Sequence, residues 1–475
     1  MPTKQTIKHR GQVYTPDYLV TTILDFGGYK NNSILQKHVI DNSCGNGAFL
    51  TEIVKRYCNE FLKLNKDIAI LKKELQTYIH GIEIQKTGYK ECISNLNNIV
   101  KQYCIYNIEW DIQNADTLTI SEYNHKMDYV FGNPPYVRVH NLENDYTSVK
   151  QYLFAGQGMT DLYIVFFEIG FNMLNANGTM CLITPSSWLS SNAGTKLRQY
   201  ICGKNNLIGV IDLQHFQPFN AMTYTLISCF KNDKIYSNFD YYVFDESTMS
   251  INFQDKLSLK DITFNKQFYI SKRSDLEVLE KIRSKNNTNK TARVKNGFAT
   301  LNDKIFVGDF DFKQGTIEVL KASTGIWSKI IFPYDKKGNP LSLTEFQKYS
   351  QAYSYMLQHK SKLLKHKDIV NDNYWYLFGR TQAIKDVFAN KYAINTIIKD
   401  INSIRLEKVG KGKGVYSGLY ILTDEDYQTI SDLILSKDFI NYIRLLKHYK
   451  SGGYYTYSSK DLELYINYKL AAKYE

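Results

Sequence analysis

Apolar runs that alternate with helical stretches occupy the first 230 residues, and this alternation is the feature that most limits the fold. The runs are continuously apolar, as in strands buried on both faces of a parallel sheet. Strands are predicted at residues 38–41, 78–84, 105–112, 127–131, 179–184, 207–213 and 224–230. Helices are predicted between them, for example over residues 47–61 and 162–174. Strand–helix–strand alternation predicts a doubly wound α/β domain.

The last two predicted strands are separated by only about ten residues. A parallel pair requires a crossover of a dozen or more residues, usually a helix. We therefore expect an antiparallel pair at that edge of the sheet.

Charge is distributed unevenly along a chain whose formal net charge is +12. Residues 1–240 carry 22 Lys and Arg against 21 Asp and Glu, whereas residues 241–475 carry 37 against 26. From about residue 241 the pattern also changes to Tyr-, Phe- and Lys-rich segments with helical runs at 341–367 and 425–446. We predict a first domain over 1–240 and an α+β domain over 241–475. The second is the candidate polyanion binder, although a merely lysine-rich surface is the alternative.

Seven cysteines occur, an odd number, and none forms a CxxC pair. Neither a zinc site nor a disulfide framework is favoured, and we expect no metal. No apolar run approaches the ~18 residues that cross a bilayer, and the polar, basic N-terminal residues do not resemble a secretory signal. A reducing, cytoplasmic location without membrane contact is predicted.

A glycine-rich turn follows the first predicted strand. Asp41 ends the strand, Ser43 and Cys44 follow, and Gly45 and Gly47 bracket Asn46 before the next helix. Glycines at these positions let the backbone approach a ligand closely. The third glycine of a dinucleotide motif is absent and no GK[ST] follows, which disfavours NAD and P-loop nucleotides. For Cys44, a small packing role is the preferred interpretation.

Two more acidic residues follow predicted strands. Glu83 lies at the end of the second, where a carboxylate can accept both hydroxyls of a ribose, although a surface glutamate is the alternative. Asp116 follows the third and could accept from an adenine amino group, but an isolated aspartate more often caps a helix or turn. Together with Asp41, these acidic residues at three strand ends indicate a nucleoside-type cofactor.

The most informative segment is Asn133-Pro134-Pro135-Tyr136, which directly follows an apolar strand. The two prolines fix φ and remove two backbone donors, leaving a stiff array of acceptors that includes the Asn133 side-chain oxygen and the Pro134 carbonyl. Two such acceptors can hold both hydrogens of a planar amine and free its lone pair for attack on a sulfonium methyl group. Tyr136 offers a face on which a base can stack. A tight proline turn beside a core tyrosine is the alternative.

These residues resemble the gamma-class DNA amino-methyltransferases of the adenine-N6 type, with a TaqI-like C-terminal recognition domain. The segment from Gly11 through Thr15 to Pro16 is similar to the cofactor motif that precedes the glycine turn in this class. The resemblance implies that S-adenosylmethionine is contacted by Thr15, Asp41, Ser43, Cys44, Gly45, Gly47, Glu83 and Asp116. It also implies that Asn133, Pro134, Pro135 and Tyr136 handle the target base. The implied fold is a mostly parallel, Rossmann-like sheet of seven strands with helices on both faces.

Further segments extend the resemblance. Residues 161–185 are similar to the family's post-catalytic helix and strand, and residues 217–220 to the motif whose phenylalanine packs on the flipped base, where we prefer Phe219 to Phe216. Residues 296–303, 378–382 and 451–456 resemble parts of the recognition domain, with Arg380 as a candidate base reader. The loop at 137–150 is shorter than is usual in the family, which leaves its details open.

The implied function is site-specific methylation of a flipped-out adenine at N6 in double-stranded DNA, within a restriction-modification or related system. The expected working form is a monomer on DNA, with any cognate nuclease encoded separately, since the chain begins almost at the first cofactor motif and leaves no room before it for a nuclease domain. The alternatives are methylation of cytosine N4, ribosomal RNA guanine or protein glutamine, and a non-catalytic DNA-binding subunit.

Overall fold

The computed structural model describes residues 14–139, 146–156, 160–219, 223–284, 291–364 and 374–474. The chain divides into two compact units, Met1–Glu277 and Val278–Glu475.

A nine-stranded sheet is the framework of the first unit. Its strands are β1 (Val39–Asp41), β2 (Ile79–Ile82), β3 (Asp111–Gln113), β4 (Met127–Gly132), β5 (Leu174–Pro185), β6 (Leu207–Asp212), β7 (Thr225–Lys231), β8 (Phe239–Asp245) and β9 (Ser250–Leu257). They lie in the order β3-β2-β1-β4-β5-β7-β6-β8-β9. A hairpin of β10 (Thr263–Phe264) and β11 (Gln267–Phe268) follows.

Helices cover both faces of this sheet. The helices in this part of the chain are α1 (Asp17–Phe26), α2 (Ala48–Leu64), α3 (Ile68–Tyr78), α4 (Lys86–Lys101), α5 (Tyr146–Lys150), α6 (Leu162–Met173), α7 (Thr195–Lys204), α8 (Leu259–Ile262) and α9 (Arg273–Ser284), the last of which continues past Glu277. Gly27, at the end of α1, packs against Phe131 of β4, whereas Gly170 of α6 packs on the side of Val130. Consecutive strand residues point to opposite faces, so α1 and α6 lie on opposite sides, as predicted.

The mostly parallel arrangement and the antiparallel pairing of the last two predicted strands are confirmed, but this pair lies inside the sheet and not at its edge, because β8 and β9 continue beyond β6. β1, β2, β3, β4 and β5 are parallel to one another, while β7 is antiparallel to both β5 and β6. The predicted strand at 105–112 is wrong, because only Asp111–Gln113 pairs with β2. Ile105 and Ile108 are buried without belonging to a strand.

The expectations of seven strands and of a boundary after residue 240 are also corrected. β8 pairs in parallel with β6, and β9 pairs antiparallel with β8, so residues beyond 240 continue the first sheet. The first compact unit therefore extends to Glu277. β8 mixes buried with half-buried residues, and β9 has only one buried residue, Leu257, so neither strand shows the continuous apolar run by which the other strands are predicted.

The second unit combines short helices with mainly antiparallel sheets. Its strands are β12 (Ala292–Asn296), β13 (Val307–Gly308), β14 (Thr316–Lys321), β15 (Ile326–Ile331), β16 (Lys391–Ile394), β17 (Ile397–Ile398), β18 (Leu406–Val409), β19 (Gly414–Tyr416), β20 (Leu419–Thr423), β21 (Tyr449–Lys450) and β22 (Tyr454–Thr456). They form sheets in the orders β12-β20-β16-β18, β13-β15-β14-β19 and β17-β22-β21. The helices are α10 (Asp303–Phe306), α11 (Leu343–Gln347), α12 (Ser350–Gln358), α13 (Lys360–Leu364), α14 (Tyr427–Ile434), α15 (Lys437–Leu445) and α16 (Ser459–Tyr474).

Both long helical runs predicted in this unit are divided. The first contains α11, α12 and α13, and its residues 365–367 lie outside the described part of the chain. The second divides at Ser436, whose hydroxyl accepts from the Phe439 amide and thereby caps α15. A serine between two apolar stretches favours a new helix start over a continuous helix, since its side chain satisfies the first free amides.

Among the described residues, no helix is long and apolar enough to span a membrane. The same part of the chain holds no group of three or more His, Cys, Asp or Glu side chains that could bind a metal ion.

Candidate functional site

The glycine turn after β1 is built around a buried carboxylate. Asp41 is 2% exposed and accepts from the Ser43 amide over 3.0 Å. Gly45 and Gly47 have φ values of +54° and +85°, which L side chains rarely adopt. A side chain on Gly47 would also come within 2.8 Å of the Cys92 sulfur. The turn therefore requires glycine at this position.

Glu83 joins this turn to the end of β2. One of its carboxylate oxygens accepts from the Gly45 amide at 2.9 Å, and the other accepts from the Gln85 amide at 2.7 Å. Burial raises the pKa of Glu83. Burial raises the pKa of Asp41 to about 7, and the nearby charge of Glu83 adds to this against the opposing Ser43 hydrogen bond. Two carboxylates whose ionised forms are disfavoured lie around one turn, where a cation would stabilise them.

Cys44 and Asp116 hold local structure. The Cys44 side chain is buried beside Gly81, and its amide donates to the Ile82 carbonyl over 3.0 Å. Asp116 accepts from the Leu118 amide at 3.0 Å and so caps a short turn. These are the packing and capping roles that the sequence had left open as alternatives.

The Asn133–Tyr136 segment lies directly beside the glycine turn. The Ser43 hydroxyl donates to the Asn133 backbone carbonyl over 3.4 Å, and the Asn133 side-chain amide donates to the Thr15 hydroxyl over 3.2 Å. Thr15 is buried, as is Pro134. Gly132 makes the close approach possible, because a side chain there would come within 2.9 Å of the Asp41 carboxylate. The predicted cofactor turn, N-terminal motif and acceptor loop therefore meet at the carboxyl ends of β1 and β4.

Tyr136 lies among aromatic rings. Its ring meets Tyr163 and Phe219 edge to face, with centroids 6.3 and 6.2 Å away. Its hydroxyl donates to the Ile183 carbonyl over 3.3 Å, and burial raises its pKa. Phe216 instead stacks on Phe244 at 5.1 Å. Of the two candidate phenylalanines, Phe219 is thus the one that contacts Tyr136.

Two residues near the site were given no role from the sequence. The exposed ring of Tyr14 lies over Gly45, 3.8 Å from where a side chain would begin. Tyr163 contacts Tyr136 and exchanges a 2.8 Å hydrogen bond with Ser187. Tyr14 belongs to the 11–16 segment and Tyr163 to the 161–185 segment, and membership of these two motifs is the sequence feature that could have indicated them. Gly11, Gln12, Val13, Asn220 and residues 140–145 of the loop after Tyr136 lie outside the described residues.

In the second unit, two of the three predicted recognition segments come together. The amides of Gly379 and Arg380 donate to the carbonyls of Thr300 and Ala299 at 3.0 and 3.1 Å. The Gln382 side chain donates to the Gly297 carbonyl at 2.6 Å. Arg380 itself is exposed. The third segment, residues 451–456, instead pairs with β17 through β22.

Comparison with known proteins relates these residues to a protein family. Residues 49–219, which include Asn133–Tyr136 and Phe219, match the Eco57I restriction-modification methylase family. The Type II methyltransferase M.BstVI of Geobacillus stearothermophilus is 25% identical over 424 residues, which cover 78% of this chain and 74% of that protein. The chain is a methyltransferase of the restriction-modification type. The cofactor of such a methyltransferase is S-adenosyl-L-methionine.

The methyltransferase has longer relatives. The Type II restriction enzyme and methyltransferase RM.Eco57I of Escherichia coli is 21% identical over 494 residues, and the match spans 82% of this chain but only 49% of that protein. The solved structure of the Type IIL restriction-modification enzyme MmeI, in complex with DNA, aligns with a TM-score of 0.65 and 13% identity. It covers 93% of this chain and 63% of that one. At this identity the likeness shows the fold alone.

Proposed function

We propose that this methyltransferase transfers a methyl group to the exocyclic N6 of an adenine flipped out of double-stranded DNA. One observation carries the proposal: the acceptor loop touches the glycine turn. Ser43 donates to the Asn133 carbonyl, and Asn133 donates to Thr15. An amine held by this loop would lie next to a ligand held by the turn, which is what an in-line transfer requires.

The turn fits S-adenosyl-L-methionine. Gly45 and Gly47 admit a ligand close to the backbone. The pKa values of Asp41 and Glu83 are raised, and a cationic, hydroxyl-bearing ligand would stabilise the ionised form of both carboxylates. Thr15, Asp41, Glu83, Asp116 and the Ser43–Gly47 turn would hold it. When bound, the cofactor supplies an electrophilic methyl group.

The acceptor loop prepares the amine. The Asn133 side-chain nitrogen donates to Thr15, and its Oδ1, the acceptor atom of the amide, would accept from substrate. Oδ1 and the Pro134 carbonyl would each accept one N–H of the adenine amine, which draws the nitrogen toward tetrahedral geometry and localises its lone pair. Formation of the N–C bond would be matched by cleavage of the methyl–sulfur bond, with S-adenosyl-L-homocysteine as the leaving group, and the surplus proton on nitrogen would then pass to solvent.

Tyr136 and Phe219 would position the base. Their rings contact each other now, and a flipped adenine placed against them gains stacking energy of ~1–3 kcal/mol per aromatic face. That gain offsets much of the few kcal/mol needed to extrude a paired base.

The second unit would bind the duplex. Residues 278–475 carry 32 Lys and Arg against 20 Asp and Glu, and Arg380 is exposed beside the 296–303 segment. Phosphate contacts of this kind give affinity that falls steeply with salt. We propose that the protein acts in the cytoplasm as a monomer on DNA, with a separately encoded nuclease as the cognate restriction activity.

Product analysis tests the proposal. Tritium-labelled S-adenosyl-L-methionine is supplied with duplex DNA, ribosomal RNA and total protein in separate reactions, and the digested products are separated. We expect label in N6-methyl-2′-deoxyadenosine from DNA. Label in N4-methylcytosine, methylguanine or methylglutamine would replace the proposed substrate, and failure to bind cofactor in equilibrium dialysis would indicate a non-catalytic subunit.

A further inference from the structure

Leu301 has an unusual conformation in the second unit. Its φ is +61°, and it is the only branched aliphatic residue with positive φ among the described residues. Its side chain is nevertheless 55% exposed. A left-handed conformation is unfavourable for a bulky L residue, and strained residues of this kind concentrate at binding and catalytic sites. Burial of the leucine does not account for the strain, since more than half of the side chain remains in solvent.

The backbone on both sides of Leu301 is tightly held. The Thr300 hydroxyl donates to the Asp303 carboxylate and accepts from the Asn302 amide. The amides of Gly379 and Arg380 hold the preceding carbonyls of Thr300 and Ala299. This double support fixes the conformation, so the leucine is presented to solvent on a rigid loop.

The loop is anchored in the core by aromatic residues. Phe298 and Phe378 are both buried, and their ring centroids lie 5.2 Å apart. Gly379 lies under the Leu301 side chain, with which any larger residue at 379 would collide. The two recognition segments thus form one support for a protruding apolar side chain.

Two exposed cations and one exposed carboxylate lie close to Leu301 along the two segments, and the carboxylate, that of Asp303, is engaged by the Thr300 hydroxyl. Arg380 is exposed, and within the described part of the chain its guanidinium has no hydrogen-bond or ion-pair partner. Lys304 is exposed three residues beyond Leu301. A rigid apolar side chain beside free cations matches a duplex, whose phosphates attract the cations while its stacked bases admit an apolar wedge.

We propose that Leu301 inserts between base pairs of the bound DNA and promotes extrusion of the target adenine. The inference rests on the proposed base-flipping function. Insertion of the side chain separates two stacked base pairs, which costs free energy. Stacking of the extruded base in its pocket and the phosphate contacts offset that cost.

Fluorescence of 2-aminopurine tests the wedge. The methylation site is first located by modification-sensitive sequencing of DNA from cells that express the chain, and 2-aminopurine then replaces the target adenine in a duplex of that sequence. This base lacks the N6 amine, so the signal reports extrusion alone. Leu301→Gly and Leu301→Asn both tolerate positive φ while removing the wedge. We expect extrusion to fall by ~tenfold or more, with Tm retained or raised because strain is relieved.

Two controls sharpen the test. Leu357 is 48% exposed in the ordinary helix α12, and Leu357→Ala should leave extrusion unchanged. A mismatched partner for the target base lowers the cost of extrusion, and most of the Leu301→Gly defect should then disappear. Extrusion by Leu301→Gly equal to wild type, or a fall in its Tm, would overturn the wedge alone. A wild-type protein that methylates the site without extruding the base would overturn the proposed flipping mechanism as well.

Discussion

The side-chain amide of Asn133 donates a 3.2 Å hydrogen bond to the hydroxyl of Thr15, 118 residues earlier in the chain. This bond fixes which way the Asn133 amide is turned, since its nitrogen is the donor to Thr15 and its oxygen is the acceptor end of the group. Both residues are implied parts of the site, one for the cofactor and one for the base. The contact therefore couples the orientation of the acceptor loop to the cofactor motif.

Thr15→Val should slow methyl transfer, because valine keeps the shape of threonine but cannot accept from Asn133. Loss of one such bond is worth ~0.5–1.5 kcal/mol, so the single-turnover rate should fall about threefold to tenfold. Thr15→Ser retains the hydroxyl and should behave like wild type. Equal rates for the valine and serine variants would show that the bond does not orient Asn133.

Cofactor affinity should rise with pH. The pKa of Asp41 is raised to about 7 by burial, and a cationic cofactor favours the ionised carboxylate. Below pH 7 each unit of acidification should therefore weaken binding by up to about tenfold, whereas above pH 8 the affinity should level off. Calorimetric titration with S-adenosyl-L-methionine between pH 5.5 and 8.5 measures this. Asp41→Asn should bind weakly at every pH, and a steep profile in that variant would assign the effect to another group.

The raised pKa of Asp41 also predicts that the stability of the cofactor-free protein falls as pH rises, whereas its affinity for the cofactor increases. Between the unfolded value of 3.8 and about 7, the folded protein holds a proton that the unfolded chain has lost, so stability falls as pH rises through this window. Asp41→Asn removes the penalty, and without cofactor its free energy of unfolding at pH 8 should exceed that of wild type by a few kcal/mol. The gain should vanish near pH 4. A variant less stable than wild type at pH 8 would contradict the pKa assignment.

Substitutions of Phe219 and Phe216 should distinguish an effect on catalysis from an effect on packing. Phe219 contacts Tyr136, whereas Phe216 stacks on Phe244. Both Leu variants should lose ~1–2 kcal/mol of stability, since each loses ring contacts, Phe219 at a buried site and Phe216 at a half-buried one. Only Phe219→Leu should also lower kcat, by about tenfold, measured with saturating DNA at a temperature where both variants are folded. A larger kcat loss in Phe216→Leu would reverse the assignment.

Gly47→Ala should disrupt the cofactor turn. The φ of +85° costs an alanine ~1–2 kcal/mol, and its side chain would meet the Cys92 sulfur at 2.8 Å. Both Tm and cofactor affinity should fall. Gly203, near the end of α7, has open space at its side-chain position, so Gly203→Ala should leave affinity unchanged and add about 0.5 kcal/mol of stability. Similar effects of the two substitutions would argue against a strained turn.

The sequence predicted the parts of the first unit that depend on local patterns. β1 and β4 lie close to the predicted runs because continuously apolar segments are buried on both faces. The glycine turn and the acceptor loop follow these strands directly, so their proximity could be inferred from parallel strand order. The stretch at 105–112 misled because Ile105 and Ile108 are buried in a connecting segment, and burial alone does not distinguish a strand from such a segment.

Other features depend on contacts between distant residues. The addition of β8 and β9 to the sheet is set by pairing with β6, which no local pattern displays. The positive φ of Leu301 is likewise imposed by Thr300, Asp303 and the backbone of Gly379. Leucine has no local tendency toward that conformation, so the sequence could not reveal it.

The transfer rate of Asn133→Ala tests the central claim most directly. The variant removes the acceptor oxygen while leaving the backbone carbonyls of the loop in place. With tritium-labelled S-adenosyl-L-methionine and duplex DNA, we expect incorporation into adenine to fall at least ~100-fold, comparable with the loss of one transition-state hydrogen-bond partner, while cofactor and DNA still bind. Incorporation at the wild-type rate would show that the Asn-Pro-Pro-Tyr loop does not prepare the amine.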